Sequence, residues 1–360
     1  MADKEKPVSQ STVPRPGLPR ESGDPPQAPA GRVRRPRTRR GRTGRPRPRD
    51  GVKLRHRLRR DWPLLLMTLP ALALLVVFAY IPIAGNVIAF QFYSPYAGDG
   101  FFDSMQNSAW IGLDNFRRLL DDHDFWNAVQ NTLLFSLLQL LFYFPVPIAL
   151  ALLINSILHS KVRAWAQAVL YLPHFFSWVL VITVFQQLFG GAGLIAQLFR
   201  EWGVSDSFDL MTDPGFFKWL ITAQVIWKDA GWGIIVFLAA LSTVNTELYE
   251  SAAVDGAGRW RRMWHVTLPA LRPVIALLLV LQVGNMLTVG SEQFLIQRTA
   301  VGPGASEVLD TYVWHKGIES GDFSYAATIG IVKGFFSVCL VLAANRVAHA
   351  MGEQGVYARR

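Results

Sequence analysis

Residues 273–289 read PVIALLLVLQVGNMLTV, an apolar run without a single charged side chain. A helix needs about 20 mostly apolar residues to cross the hydrocarbon core of a bilayer, and this run reaches that length with its neighbours. A helix packed on a soluble core would instead keep one polar face. Five more stretches have the same character, at about 62–90, 132–157, within 164–189, 216–241 and 323–347. We therefore predict six spanning helices. Pro63, Pro70 and Pro82 in the first are tolerated in membrane helices, and Pro145 and Pro147 should bend the second. Over the 360 residues, 51% are hydrophobic and 17% charged, which argues against a chain of two or three soluble domains. The expected fold is an all-α integral membrane protein, with residues 61–360 as the membrane domain behind a basic tail at 1–60.

The charge is unevenly placed. Residues 1–60 hold 19 Lys and Arg against 5 Asp and Glu, a surplus of +14 in a chain whose net charge is +10, so the remainder is acidic. The tail is rich in Pro, Arg, Gly and Ser, and we read it as disordered. Arg density alone would suit nucleic acid, but a block of cations just before a first span reads better as a cytoplasmic tail drawn to anionic lipid. It is too long and too basic for a cleaved leader. By the same rule both termini face the cytoplasm, and residues 242–272 form the one long cytoplasmic loop. A single cysteine, Cys339, excludes an intrachain disulfide framework, a Cys-ligated zinc site and an iron-sulfur cluster.

That loop contains ELYESAAVDGAGRWRRMWHVTLPALRP, residues 247–273. Helix formers with acids early run from Thr246 to Val254, and Gly256 and Gly258 supply a stop. Arg259, Trp260, Arg261, Arg262 and Trp264 then make a basic aromatic stretch suited to a membrane interface, before Leu268 and Pro269 lead into the fifth span. We expect a short helix, a glycine turn and a second short helix at the membrane surface. Ser251, Ala252, Ala253, Gly256 and Ala257 leave little side chain on one surface, which permits a partner to approach closely.

Glu250, Ala252, Ala253, Val254, Asp255 and Gly256, followed after nine residues by Val266-Thr267-Leu268-Pro269, resemble the Glu-Ala-Ala loop of permease subunits of binding-protein-dependent ABC importers. Ser251 stands where that pattern usually has Ala, and Val266 where it has Ile. The resemblance extends over nearly the whole chain from Trp62. WIGLDNF at 110–116, Asn131-Thr132, LYLPHFFSW at 170–178, DTYV at 310–313 and DFSYA at 322–326 are similar to the carbohydrate branch, in particular its polysaccharide or lipoprotein-associated permeases. Gly290-Ser291-Glu292-Gln293 is similar to a Gly-Phe-Glu-Gln step there, with Ser291 in the aromatic position. The basic tail has no counterpart in the pattern.

The resemblance implies a six-helix permease of the type I importer kind. Its coupling loop, with Glu250, Ala252, Ala253, Asp255, Gly256, Leu268 and Pro269, would dock on an ATPase chain, Glu250 meeting a basic residue. It also implies a second permease subunit, an extracytoplasmic solute-binding protein and an oligosaccharide cargo, with no cofactor on this chain and ATP and magnesium on the ATPase. One half of this stands on the residues alone: no Gly-x-x-x-x-Gly-Lys-Ser/Thr loop occurs, so the chain is not a P-loop ATPase.

Ionisable residues inside a span are costly and mark functional or paired positions. Lys228, Asp229 and Lys333 qualify, either as a structural ion pair, with Asp229 reaching Lys333 across helices, or as part of the pathway. Adjacent on a helix, Lys228 and Asp229 point about 100° apart and should not readily meet. Sugar sites combine aromatic faces with amide hydrogen bonds, for which Trp178, Gln186, Gln187, Trp227, Trp232, Gln282, Asn285 and Gln293 are the candidates, each equally able to serve interhelical packing. His174 reads as a satisfied histidine rather than a metal ligand. Two other classes compete: an ion-coupled secondary transporter, for which Asp229 is the only intramembrane carboxylate, and a membrane glycosyl-transfer enzyme, for which Asp121, Asp122 and Asp124 are the only dense acidic cluster.

Overall fold

The computed structural model describes residues 54–204, 207–350 and 352. Of the tail read at residues 1–60, residues 1–53 lie outside them. The chain divides into two units, 1–68 and 69–360. In the first, the described residues from 54 on are helical, so helix begins within the segment assigned to the tail; the helix is Leu54–Leu75.

Six helices are long and apolar enough to cross a membrane: Trp62–Phe90, His123–Asn155, Trp178–Glu201, Phe217–Ser242, Arg259–Gly284 and Phe323–Ala350. The number agrees with the sequence, but three starts do not, the second span beginning at His123, nine residues before the expected Thr132. The third span begins at Trp178 because the stretch expected to be one helix breaks into Ser160–Tyr171, a 3-10 turn Leu172–Phe175 and a new helix capped by the Ser177 hydroxyl. Pro173 cannot continue the backbone ladder, and Ser177 accepts from the Leu180 N–H to start a new one. The fifth span begins 14 residues earlier than Pro273, at Arg259, so the expected second surface helix is the first part of the span itself.

Three spans carry a π turn, and a proline follows each at the same offset. Val76–Tyr80 precedes Pro82, Gln139–Tyr143 precedes Pro145 and Met263–Thr267 precedes Pro269. In each case the residue before the proline donates five residues back: Ile81 to Val76, Phe144 to Gln139 and Leu268 to Met263. Proline removes one donor and pushes away the carbonyl four residues earlier; widening the preceding turn relieves that clash without opening the helix.

Within residues 69–360, three packed clusters hold the bundle. Phe135, Val181, Phe217, Ile221 and Phe294 form one, Leu119, Phe125, Tyr312, Tyr325 and Ile329 a second, and Ala151, Ile154, Ile234, Phe237 and Leu271 a third. In lipid such contacts gain from dispersion and fit rather than from expelling water. The first span is different: every side chain from Leu69 to Ala84 is exposed. It then turns through Asn86–Phe90 into a two-residue antiparallel ribbon, Gln91–Phe92 with Ala109–Trp110.

The segment motifs quoted above turn out to tie this end together. Asn115 donates to the Ala89 carbonyl at 3.0 Å, closing the end of the first span. Asn131 donates to the Gly304 and Glu307 carbonyls, and the Leu309 N–H donates to the Thr132 hydroxyl at 2.8 Å. Asp122 caps the second span through the Asp124 and Phe125 N–H groups, and accepts from the Tyr312 and Tyr325 hydroxyls. Burial alone would raise the Asp122 carboxyl, but these four donors outweigh it and hold the group below the usual carboxylate range. Tyr312 is pushed up in turn, by burial first and then by its bond to Asp122.

Candidate functional site

The loop between the fourth and fifth spans is built by local rules. Asn245 accepts from the Glu247 N–H at 3.0 Å and caps the helix Thr246–Val254. The helix stops at Gly256, whose φ of +72° lies in the left-handed region. The Ala257 N–H reaches the Ala252 carbonyl at 2.9 Å and the Gly256 N–H the Ala253 carbonyl at 3.1 Å, the two bonds of a Schellman stop. A Cβ at Gly256 would meet nothing, so the requirement for glycine is one of backbone angle and not of space.

Glu250, Ala253, Val254, Asp255 and Gly256 are exposed, and Ala252 is half-buried. Val254 is 89% exposed, an apolar side chain presented at the tip of the loop. Leu268 and Pro269 do not belong to this tip; they lie inside the fifth span, just past its π turn. The two parts are connected by Tyr249, whose hydroxyl lies 3.2 Å from the Thr267 hydroxyl. The short helix is thus joined to the fifth span by that contact and by the short turn at Asp255–Gly258.

The second group of candidates gathers where the broken third-span stretch crosses the middle of the fourth span. Gly231 permits the crossing, since a Cβ there would overlap the Leu170 carbonyl oxygen. The Lys228 ammonium donates to the His174 carbonyl at 2.7 Å and lies 5.5 Å from the centre of the Trp178 ring. His174 Nδ1 is 2.8 Å from Asp229 Oδ1, and its ring stacks on Trp232 at 4.5 Å. Trp227 packs between Phe176 and Phe185. Lys228 and Asp229 do approach, to 3.9 Å, despite the angular offset expected of neighbours on a helix, because the long Lys chain can bend toward the carboxylate. Lys333 pairs with Asp310 and not with Asp229.

Trp227 and Trp232 nevertheless remain partly exposed, at 39% and 49%. Gln186, Gln187 and Asn285 are exposed and Trp178 and Gln282 half-buried. The side chains of Gln186, Gln187, Gln282 and Asn285 make no hydrogen bond among the described residues. Gln293 has a different environment. It is 2% exposed and donates to Gln224 Oε1 at 2.7 Å, where Gln297 also donates at 3.0 Å. This closed amide triangle joins the fourth span to the helix Glu292–Val301. Gln224 and Gln297 were not singled out from the sequence, although an amide within an otherwise apolar span and the four-residue spacing of Gln293 and Gln297 were visible there.

Residues 143–352 match the family described as the binding-protein-dependent transport system inner membrane component. Among curated proteins, the chain is 40% identical over 295 residues to the polygalacturonan/rhamnogalacturonan transport system permease protein YteP of Bacillus subtilis (strain 168), covering 82% of this chain and 90% of that one. It is 38% identical over 308 residues to protein LplB of the same organism, covering 85% and 95%. Among solved structures, a chain of the crystal structure of a bacterial alginate ABC transporter, in complex with an alginate pentasaccharide-bound periplasmic protein, superposes with a TM-score of 0.75 at 35% identity, covering 84% of this chain and 99% of that one.

Proposed function

The chain belongs to the inner membrane component family of binding-protein-dependent transport systems, and from that premise we propose that the loop at 246–258 is its docking element for the ATPase chain and that its cargo is an oligosaccharide. It is a permease subunit of a carbohydrate ABC importer with the six-helix type I fold, not an enzyme; ATP is hydrolysed on a separate chain, and a solute-binding protein delivers the cargo. Neither a secondary transporter nor a glycosyl-transfer enzyme is favoured.

The observation that carries the docking assignment is the capped, glycine-stopped helix Thr246–Val254, with Glu250, Ala253 and Val254 turned outward and Tyr249 tied to the fifth span. Glu250 offers a carboxylate to a basic residue of the ATPase, and the small Ala252 and Ala253 let the helix seat closely. Closure of the ATPase pair would push this helix and, through Tyr249 and the Gly256 turn, the fifth span. In this arrangement the loop and both termini are cytoplasmic, and the exposed first span suits a second permease subunit or lipid. The partly exposed indoles of Trp227 and Trp232 support a pathway for sugars, whose apolar ring faces stack on aromatics, with Trp178, Gln186, Gln282 and Asn285 as further candidates in the spans or at their ends. Lys228, Gln293 and Lys333 contribute to it as fixed walls, since their polar groups are already engaged within the chain.

The test is Glu250→Lys in the assembled importer. We expect the permease to insert normally, to lose the ATPase chain on affinity purification and to lose uptake; normal uptake with the ATPase retained would overturn the docking assignment. For the cargo, Trp227→Ala should raise the KM for oligosaccharide uptake while leaving ATPase recovery unchanged.

A further inference from the structure

Where the second span ends at Asn155 and the fifth begins at Arg259, a groove of about 490 Å³ opens. One wall is apolar, formed by Leu152, Leu153 and Leu158, of which Leu153 and Leu158 are 58% and 82% exposed. The other is formed by Arg259, Trp260 and Arg262. Neither guanidinium makes an ion pair or a hydrogen bond among the described residues, and the Arg262 Nε is buried without an acceptor. A buried donor left unpaired is destabilising, so an oxygen acceptor from outside the chain would be held there. Two spans ending at this level place the groove at headgroup depth, and the 72% exposed Trp260 indole beside it is the side chain that prefers that depth.

We propose that this groove holds an anionic phospholipid, its phosphate between Arg259 and Arg262 and an acyl chain along Leu152, Leu153 and Leu158. Charge and shape favour this occupant: the two cations are adjacent on one turn with no carboxylate among the groove's lining residues, and the apolar wall continues from them along the end of a span. The bound lipid would brace the start of the fifth span next to the Tyr249–Thr267 contact, so that the loop moves against a filled joint. The proposal rests on the chain spanning a membrane and not on where the ATPase docks.

The experiment uses the assembled importer in vesicles of phosphatidylcholine alone or mixed with phosphatidylglycerol, extracted gently and weighed by native mass spectrometry. The intact importer should retain phosphatidylglycerol, and the Arg259→Gln/Arg262→Gln double variant should retain roughly thirtyfold less, since each of the two cations near a membrane surface contributes about 1 kcal/mol toward an anionic lipid. Leu153→Trp, which fills the groove and keeps both charges, should lose the lipid as well, while Lys161→Gln should keep it. Equal retention by the double variant and the unaltered importer would overturn the proposal. So would a Ser156→Cys variant, which keeps both arginines and sits in the groove lining, that cross-links to the ATPase chain with no lipid retained, because the groove would then be part of the subunit joint. Lipid retention is read by mass, so this outcome is separable from loss of ATPase coupling in the Glu250→Lys importer.

Discussion

The Lys228 ammonium, carried by the middle of the fourth span, donates to the main-chain carbonyl of His174 at 2.7 Å. It supplies a donor for a carbonyl at the end of the 3-10 turn Leu172–Phe175, where the interrupted ladder provides none. The Asp229 carboxylate, 3.9 Å away and 2.8 Å from His174, completes the group.

Replacing Lys228 by Met should therefore leave the His174 carbonyl unpaired and lower the stability of the purified importer by about 2 kcal/mol. Thermal unfolding in detergent measures it. Asp229→Asn added to Lys228→Met should cost less than the sum of the two single changes, because the partners share one network. Strict additivity would mean that the two residues act independently.

Gly256 is required for its left-handed backbone. Gly256→Asn should keep more uptake and more co-purifying ATPase than Gly256→Ala, and Gly256→Val should keep least, following the cost of positive φ for each side chain. If all three behaved alike, crowding against the partner and not backbone angle would be the constraint.

Asp122 predicts an acid-side dependence. Its folded-state carboxyl lies below the unfolded value of about 3.9, so its contribution is fully present above that value and is lost as the pH falls through the lower folded value. The thermal midpoint of the importer should fall on acidification below about pH 4. Asp122→Asn should lower the midpoint at neutral pH and flatten the acid fall, since the amide cannot gain the proton. An unchanged acid fall in Asp122→Asn would assign it to other carboxylates.

The amide triangle makes a non-additive prediction. Gln224→Leu alone removes the acceptor for Gln293 and Gln297 and should cost about 1–2 kcal/mol. Changing all three glutamines to Leu removes the orphaned groups together and should recover much of that loss, as measured by unfolding of each variant in the same detergent.

The number of spans and the short helix between the fourth and fifth were legible from the residues alone. Partition into lipid is a sum over consecutive residues, so a run such as 273–289 declares itself wherever it folds. The Asn245 cap and the Gly256 stop likewise act over a few residues, and the helix Thr246–Val254 has the bounds those signals set. Pro173 and Ser177 were there to be read as the break before the third span, and Pro269 as the cause of a π turn; each was a local signal outweighed by the length of the apolar run. Which polar groups meet depends instead on how the spans pack. Lys228 and His174 are 54 residues apart, and Asp122 and Tyr325 are 203. Lys333 takes Asp310 and leaves Asp229 to His174 for the same reason. A buried charge or amide selects the partner that packing brings within hydrogen-bond distance, and that distance depends on how the spans cross, as at Gly231 against Leu170, and not on any property of the residue alone.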